Sequence, residues 1–593
     1  MTIVRILQQR WLHWTLIPIV AIAIGACNTA QFTGRAAQPP QIVTSTLSDP
    51  ETFNYVLNTT SPNVFSLIYD GLVGENGLTA DIEPALADNW EISDDNLRIT
   101  FTLRDELTWS DGEPLTAADV VFTYNDLLFN EAIPSSARDV LRIGESQELP
   151  KVRSLDDRRV EFTVPEPFAP FLRTVGLIAV LPKHALQRYV DELDADGTPR
   201  FVSAWGTDTD PAEIIANGPY RLASYVPSQR VVFERNPYYW RRDEQGNPLP
   251  SVDRLIWQIV ESSDASVIQF RSGGLDVLGI SPDYFALLKR EEGRGDFTIY
   301  EGGPVPSTSF IAFNLNQGRR NGVPLVDPIK SRWFNTVNFR QAVAHAIDRQ
   351  RMINNTFQGL AELQNSPISV QSPYYLPPEE GLPVYDYDPE ISRTLLIDAG
   401  FQYDPNDQLL DADGNRVRFT LITNSGNKIR ESMGAQIKQD LSKIGIQVDF
   451  NPIAFGTLID KLANTVDWEC YLLGFTGGVE PNNGANVWQP NGRSHRFNQP
   501  AQAGEPPIDG RVISDWEEKI GQLYVDGART LDEEQRAAIY AESQIITQEY
   551  LPFIYLVNPL SLSAVRDRIQ NVKYSALGGS LWNVYELEIA EDD

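Results

Sequence analysis

The chain is poor in residues that build covalent or metal cross-links. Its 593 residues include two cysteines, Cys27 and Cys470, and four histidines. So few cysteines exclude a disulfide framework, and if Cys27 is acylated Cys470 has no partner and acts as a small buried side chain. His184, His345 and His495 lie far apart, without H-E-x-x-H or Cys/His ligand spacing, so no metal site is signalled. Basic residues are scarce, with 49 Lys and Arg against 80 Asp and Glu for a net charge of −31. A surface that tracks phosphates needs a basic stripe, so nucleic acid is excluded as a partner. The acidity serves a solvated surface. The sequence also lacks a G-x-S-x-G elbow, a Walker loop and a G-x-G-x-x-G fingerprint. No enzyme activity and no cofactor is expected.

What is present begins at the amino terminus. Arg5 and Arg10 precede a short apolar run at residues 16–26, LIPIVAIAIGA. A membrane-spanning helix needs about 20 apolar residues, so the run suits a secretory signal. Ile24-Gly25-Ala26-Cys27 resembles a bacterial lipobox, which implies cleavage before Cys27 and lipidation of its sulfur; an uncleaved anchor is the alternative. Residues 28–41, NTAQFTGRAAQPPQ, are small and polar and read as a flexible tether. The remaining length holds more than one packed core.

The most informative stretch is residues 84–128. Leu97, Ile99, Phe101 and Leu103 alternate with Arg98, Thr100, Thr102 and Arg104, the period of a half-buried strand. Ser93-Asp94-Asp95-Asn96 is a turn, which makes residues 90–92 the partner strand. Thr116 can cap a helix, with Asp119 as its capping-box partner, and Val120, Tyr124 and Leu127 repeat at helical spacing. In order, Pro84, Leu86, Ala87, Trp90, Ser93, Asp95, Leu103, Arg104, Trp109, Asp111, Gly112, Pro114, Thr116, Ala117, Asp119, Val120, Val121 and Phe122 follow P-x-L-A-x-x-W-x-x-S-x-D … L-R … W-x-D-G-x-P-L-T-A-x-D-V-V-F. That pattern closely resembles the signature of the family 5 solute-binding proteins of ABC importers, which bind oligopeptides, dipeptides and nickel.

The resemblance continues along the chain. Residues 217–220, NGPY, residues 230–240, RVVFERNPYYW, and residues 270–280, FRSGGLDVLGI, resemble elements of the family's first lobe. Residues 48–55, SDPETFNY, stand where relatives carry a segment at one lip of the ligand cleft. The helix expected from Asn338 through residue 353 resembles a second-lobe element, and a further helix is expected over 63–72. Strands at 418–423, 447–450 and 468–474 alternate with helices at 429–444 and 455–462. Such alternation implies a largely parallel sheet covered on both faces. Residues 513–550 read as helical. Asp411-Ala412-Asp413-Gly414-Asn415 begins like a calcium loop, but its glycine comes early and Ile422 stands where a glutamate should be, so a hairpin turn is expected.

The implied fold is α/β and two-lobed, like the type II periplasmic binding proteins, with an extra subdomain on lobe 1 and a two-stranded hinge. The boundaries are 1–26 signal, 27–41 tether, 42–85 lobe 1, 86–204 extra subdomain, 205–305 lobe 1, 306–548 lobe 2 and 549–593 lobe 1. The implied role is capture of an oligopeptide or dipeptide outside the cytoplasm and delivery to an ABC permease and ATPase, from a lipid anchor at Cys27. An oligosaccharide or nickel receptor, an extracytoplasmic enzyme and a signalling receptor are the alternatives.

For the site, residues 468–498 run from a strand into a polar, glycine-rich loop of the kind that faces a crevice in α/β lobes. Phe475, Trp488, Arg493 and His495 are its candidate contacts, with Trp488 as an exposed stacking wall and Asn482, Asn483 and Asn486 as adaptable hydrogen-bonding groups. A structural loop with Trp488 in the core is the alternative. In the peptide binders this place carries G-W-x-A-D-Y-x-x-P, whose aspartate pairs with the ligand's α-ammonium. Here Phe475 replaces the tryptophan, Gly478 the aspartate, and Glu480 is the candidate substitute.

Overall fold

The computed structural model describes residues 40–590 except 136, 145, 503 and 504. The expected signal, Cys27 and nearly all of the tether lie outside the described residues.

Strand Arg98–Leu103 is the centre of the extra subdomain. It pairs antiparallel with Ala87–Ile92 on one side and Arg159–Thr163 on the other, and Lys151–Ser154 completes the sheet. Ile99, Phe101 and Leu103 are buried while the residues between them are not, as the alternation requires. Thr116 and Asp119 form a capping box at helix Ala117–Val121, which loosens into a π-helical stretch at Phe122–Leu128. Two four-stranded sheets build the rest of lobe 1. One runs Gln41–Thr46, Arg254–Ile259, Arg230–Arg235, Tyr220–Val226. In the other, Val557–Arg566 lies between Val277–Gly279 and Phe297–Pro304, and Ala361–Leu363 pairs with its beginning.

Lobe 2 holds a five-stranded sheet in the order Gln447–Ile453, Arg418–Asn424, Cys470–Leu473, Phe310–Phe313, Ile554–Tyr555. Its first three strands are parallel, as expected, but the two remaining pairings are antiparallel: Phe310–Phe313 runs against Cys470–Leu473, and Ile554–Tyr555 runs against Phe310–Phe313, back in the direction of the first three. The reason is that these two strands are where the chain enters and leaves the lobe. Phe297–Pro304 continues into Phe310–Phe313, and Ile554–Tyr555 continues into Val557–Arg566, so each crossing joins two sheets. The crossings lie side by side: Val305 N donates to Pro559 O at 3.0 Å and Leu556 N to Ser309 O at 2.9 Å. The return passes between sheets at residues 555–557, later in the chain than the 548 expected. Sequence periodicity cannot see that point, because Leu551, Phe553 and Ile554 belong to the second lobe's apolar core.

Two helices differ from expectation. Over 63–72 only Phe65–Ile68 is helical. Tyr69 is extended, and beyond it Asp70 N donates to Asn217 Oδ1 at 2.7 Å and Gly71 bridges Ala179. Long-range pairing takes over there from local periodicity. The helix expected from Asn338 is two, Val337–Ala346 and Arg349–Thr356, because Ile347 is extended and Asp348 caps the second helix through Arg351 N. The region 513–550 is two helices, Asp515–Arg529 and Glu533–Tyr550. The Asp411 turn is a hairpin turn: its carboxylate accepts from Asp413 N, Asn415 N and Trp333 Nε1.

Candidate ligand-binding site

The glycine-rich loop leaves the end of Cys470–Leu473 and runs against the outgoing crossing. Thr308 N donates to Phe475 O at 2.8 Å. The approach is so close that a Cβ on Gly474 would sit 2.0 Å from Thr308 O, and one on Gly477 2.1 Å from Pro306 O. Those two glycines are therefore fixed by packing, a cause unrelated to ligand. Phe475 is half-buried between Phe310, at 5.0 Å, and Phe553, at 5.8 Å. Gly478 is exposed, with open space where a side chain would stand.

Beyond Gly478 the loop turns inward, and this corrects much of the expected site. Trp488 is not an exposed wall. It is 5% exposed and packs against Tyr524, Phe553 and Phe497 at 6.0, 5.7 and 6.5 Å. Burying an indole among aromatic rings gains more than leaving it in water, and local sequence does not reveal that those rings converge. His495 is fully buried, with Nδ1 2.8 Å from Val487 O and Nε2 3.0 Å from Glu517 Oε2. Burial alone would raise the Glu517 pKa, but His495, Ser514 N and the Asn498 amide hold it below the usual value.

Glu480 is no free partner for an ammonium group either. Its carboxylate caps the turn Pro481–Gly484 through Asn482 N and pairs with Arg536 at 2.6 Å, both side chains 2% exposed. Arg536 also reaches Tyr374 Oη and donates to Gly527 O at 2.8 Å. A buried carboxylate requires such a partner, and Arg536 supplies it from 56 residues away. Asn482 is buried and Asn486 half-buried, its carbonyl accepting from Ser494 N at 3.2 Å. Arg493 is exposed and acts on Asp139 of the extra subdomain, where it opposes the rise that burial causes in that carboxyl's pKa.

On lobe 1 a cavity of about 370 Å³ opens between residues 55–69, 128–137 and 177–179. Tyr55, Phe65 and Tyr69 form its aromatic wall, with Tyr55 edge-on to Phe65 at 5.3 Å and Phe65 stacked on Tyr69 at 6.4 Å. Asn58, Asn63 and Ser66 add neutral polar groups, and among the described residues no charged one lines the cavity. Tyr69 is 5% exposed, and its hydroxyl has no hydrogen-bond partner among the described residues; nor has Asn58 Oδ1. Burial raises the Tyr69 pKa far above the ordinary tyrosine value, so it stays a neutral donor. A buried hydroxyl without a partner costs free energy that a bound polar group recovers. Sequence reasoning reached this wall only in part. Residues 48–55 include Tyr55, and Phe65 is helical as expected, but Tyr69 falls within the helix expected over 63–72 and is extended instead, which turns it into the cavity. The signal available was aromatics interleaved with Asn, Ser and Thr over 52–69.

Comparison with known proteins settles the family. Residues 81–495 match the model of the bacterial extracellular solute-binding proteins, family 5 Middle. The chain belongs to this family. A probable ABC transporter-binding protein of Deinococcus radiodurans is 28% identical over 547 residues, 88% of each chain. The oligopeptide-binding protein AppA of Bacillus subtilis is 24% identical over 77% of this chain and 78% of its own. AppA solved with a nonapeptide superposes with a TM-score of 0.74 at 20% identity, covering 93% of this chain and all of that one. MelB of Agrobacterium fabrum C58, solved with stachyose, gives 0.77 at 19% identity, covering 93% and 85%. These structures share the two-lobed α/β fold with this family 5 protein.

Proposed function

We propose that this family 5 protein is the extracytoplasmic receptor of an ABC importer, capturing oligopeptides between its lobes and handing them unaltered to the permease and ATPase. The observation that carries this reading is the neutral aromatic cavity on lobe 1, with the Tyr69 hydroxyl and Asn58 Oδ1 awaiting partners. A peptide backbone offers donors and acceptors for both, and apolar side chains suit the aromatic wall. Peptide relatives support the choice of solute. Closure follows because a solute that contacts both lobes binds the closed state better and shifts the population toward it. Cys27 carries the lipid that holds the receptor at the membrane, which intact-mass measurement of the membrane-extracted protein checks.

A second reading, an oligosaccharide, is favoured by one observation: the place of the ammonium-binding aspartate is Gly478, and Glu480 is consumed by Arg536. Stacking rings and neutral amides suit a sugar without an ion pair. Nickel ranks third, since among the described residues neither histidine nor cysteine lines the cavity. A thermal-shift screen of peptides, oligosaccharides and Ni²⁺ decides among them. A ligand at 100 times its Kd stabilises the folded state by about 2.7 kcal/mol. Stabilisation by peptides is the expected result; stabilisation by sugars and not by peptides overturns the first reading in favour of the second.

A further inference from the structure

The two lobes meet at a second place besides the hinge. Helix Asp515–Arg529 of lobe 2 ends against residues 166–174 of the extra subdomain. The last carbonyls of a helix have no partner within it. Here the Ala528 carbonyl accepts from Ala169 N at 2.7 Å, from a chain segment more than 300 residues away. The Ala528 side chain is 6% exposed and packs into the apolar core of lobe 1, although its helix belongs to lobe 2. Next to it, Arg529 pairs with Glu166 at 3.2 Å. A few residues along, Thr174 Oγ1 donates to Asn483 Oδ1 at 3.1 Å, reaching the turn Pro481–Gly484.

Both sides of this contact are held rigid from behind. On lobe 2, Arg536 ties the helix end, through Gly527 O, to the turn, through Glu480. On lobe 1, Tyr124 Oη donates to Val175 O at 2.7 Å, and Gly71 leaves room for no side chain, since its Cβ would lie 2.7 Å from Gly176 O. The same segment continues three residues further into Leu177, which lines the solute cavity.

We propose that residues 166–174 of the extra subdomain are a closing latch, gripping the helix end at Ala528 and the turn at Asn483 so that closure is held by contacts outside the solute cavity. The Glu480–Arg536 pair is the positioning element of this latch. The latch deepens the reading of a receptor that closes on its solute, but its contacts are protein–protein and are measured without solute, so a wrong solute leaves the test intact. Two measurements on the solute-free full chain decide it. In hydrogen exchange, the Ala169 amide is protected in the parent protein and exchanges at least 10-fold faster in Ala528→Asp; Thr174→Val, a nearly isosteric change, speeds the Asn482, Asn483 and Gly484 amides. With Thr174→Cys and Asn483→Cys together, mild oxidation forms a cross-link in the solute-free chain. Exchange at parental rates in both single variants, or a double-cysteine protein that stays reduced, overturns the proposal.

Discussion

Replacing Trp488 by alanine distinguishes a core side chain from a ligand contact. The indole is 5% exposed and touches Tyr524, Phe553 and Phe497. Truncating a buried Trp costs about 3–5 kcal/mol, from lost burial plus the cavity left behind. Converting that to temperature depends on the cooperative unit. Unfolding entropy is about 2.1 cal/mol/K per residue near 60 °C, so a second lobe of roughly 240 residues unfolding alone has about 0.5 kcal/mol/K. A loss of about 4 kcal/mol then lowers its transition by about 8 °C, against about 3 °C if all roughly 550 folded residues unfold together. Differential scanning calorimetry reads both the shift and the number of transitions. Trp488→Phe, which keeps a ring in place, falls by a smaller amount. A shift of Trp488→Ala below about 1 °C together with a large loss of solute affinity refutes the core assignment and restores the stacking wall.

Three more outcomes are expected. Arg536→Met leaves the Glu480 carboxylate buried and alone, which costs about 3–5 kcal/mol, and adding Glu480→Gln recovers much of it; urea unfolding of the double-mutant cycle shows this, and a single-variant cost below about 1 kcal/mol contradicts the buried pair. Tyr69→Phe removes a hydroxyl that has no partner among the described residues, so the solute-free melting temperature holds while solute affinity drops about 5- to 10-fold, the worth of one hydrogen bond. Calorimetric titration with the solute found by the thermal-shift screen measures it, and unchanged affinity places the solute elsewhere. Glu517 is held below the ordinary glutamate value of 4.5, so its contribution to stability is complete above about pH 4.5 and is lost as pH falls through the lower folded-state value. Glu517→Gln therefore lowers stability at neutral pH and flattens the acid limb of a melting-temperature profile; a parallel downward shift at every pH counts against the linkage.

What the sequence determined by itself was local and repetitive. Alternation at Leu97–Leu103, the Thr116–Asp119 capping box and the helix around Met433 and Ile437 follow from side-chain period and chain-end hydrogen bonding, which neighbours in sequence control. The family signature at residues 84–122 added the two-lobed plan. The candidate site was legible only as a region. Trp488, His495 and Glu480 are polar or amphipathic residues in a glycine-rich loop, and sequence could not tell that Phe553, Glu517 and Arg536 would arrive from the far end of lobe 2 to bury them. The aromatic wall was missed for the mirror reason. Tyr69 leaves a helical pattern because Asn217, 147 residues on, takes the next amide. Only the tertiary structure decides which polar groups find partners at long range and which are left open, since the free energy of a buried polar group depends on the distant atom that faces it.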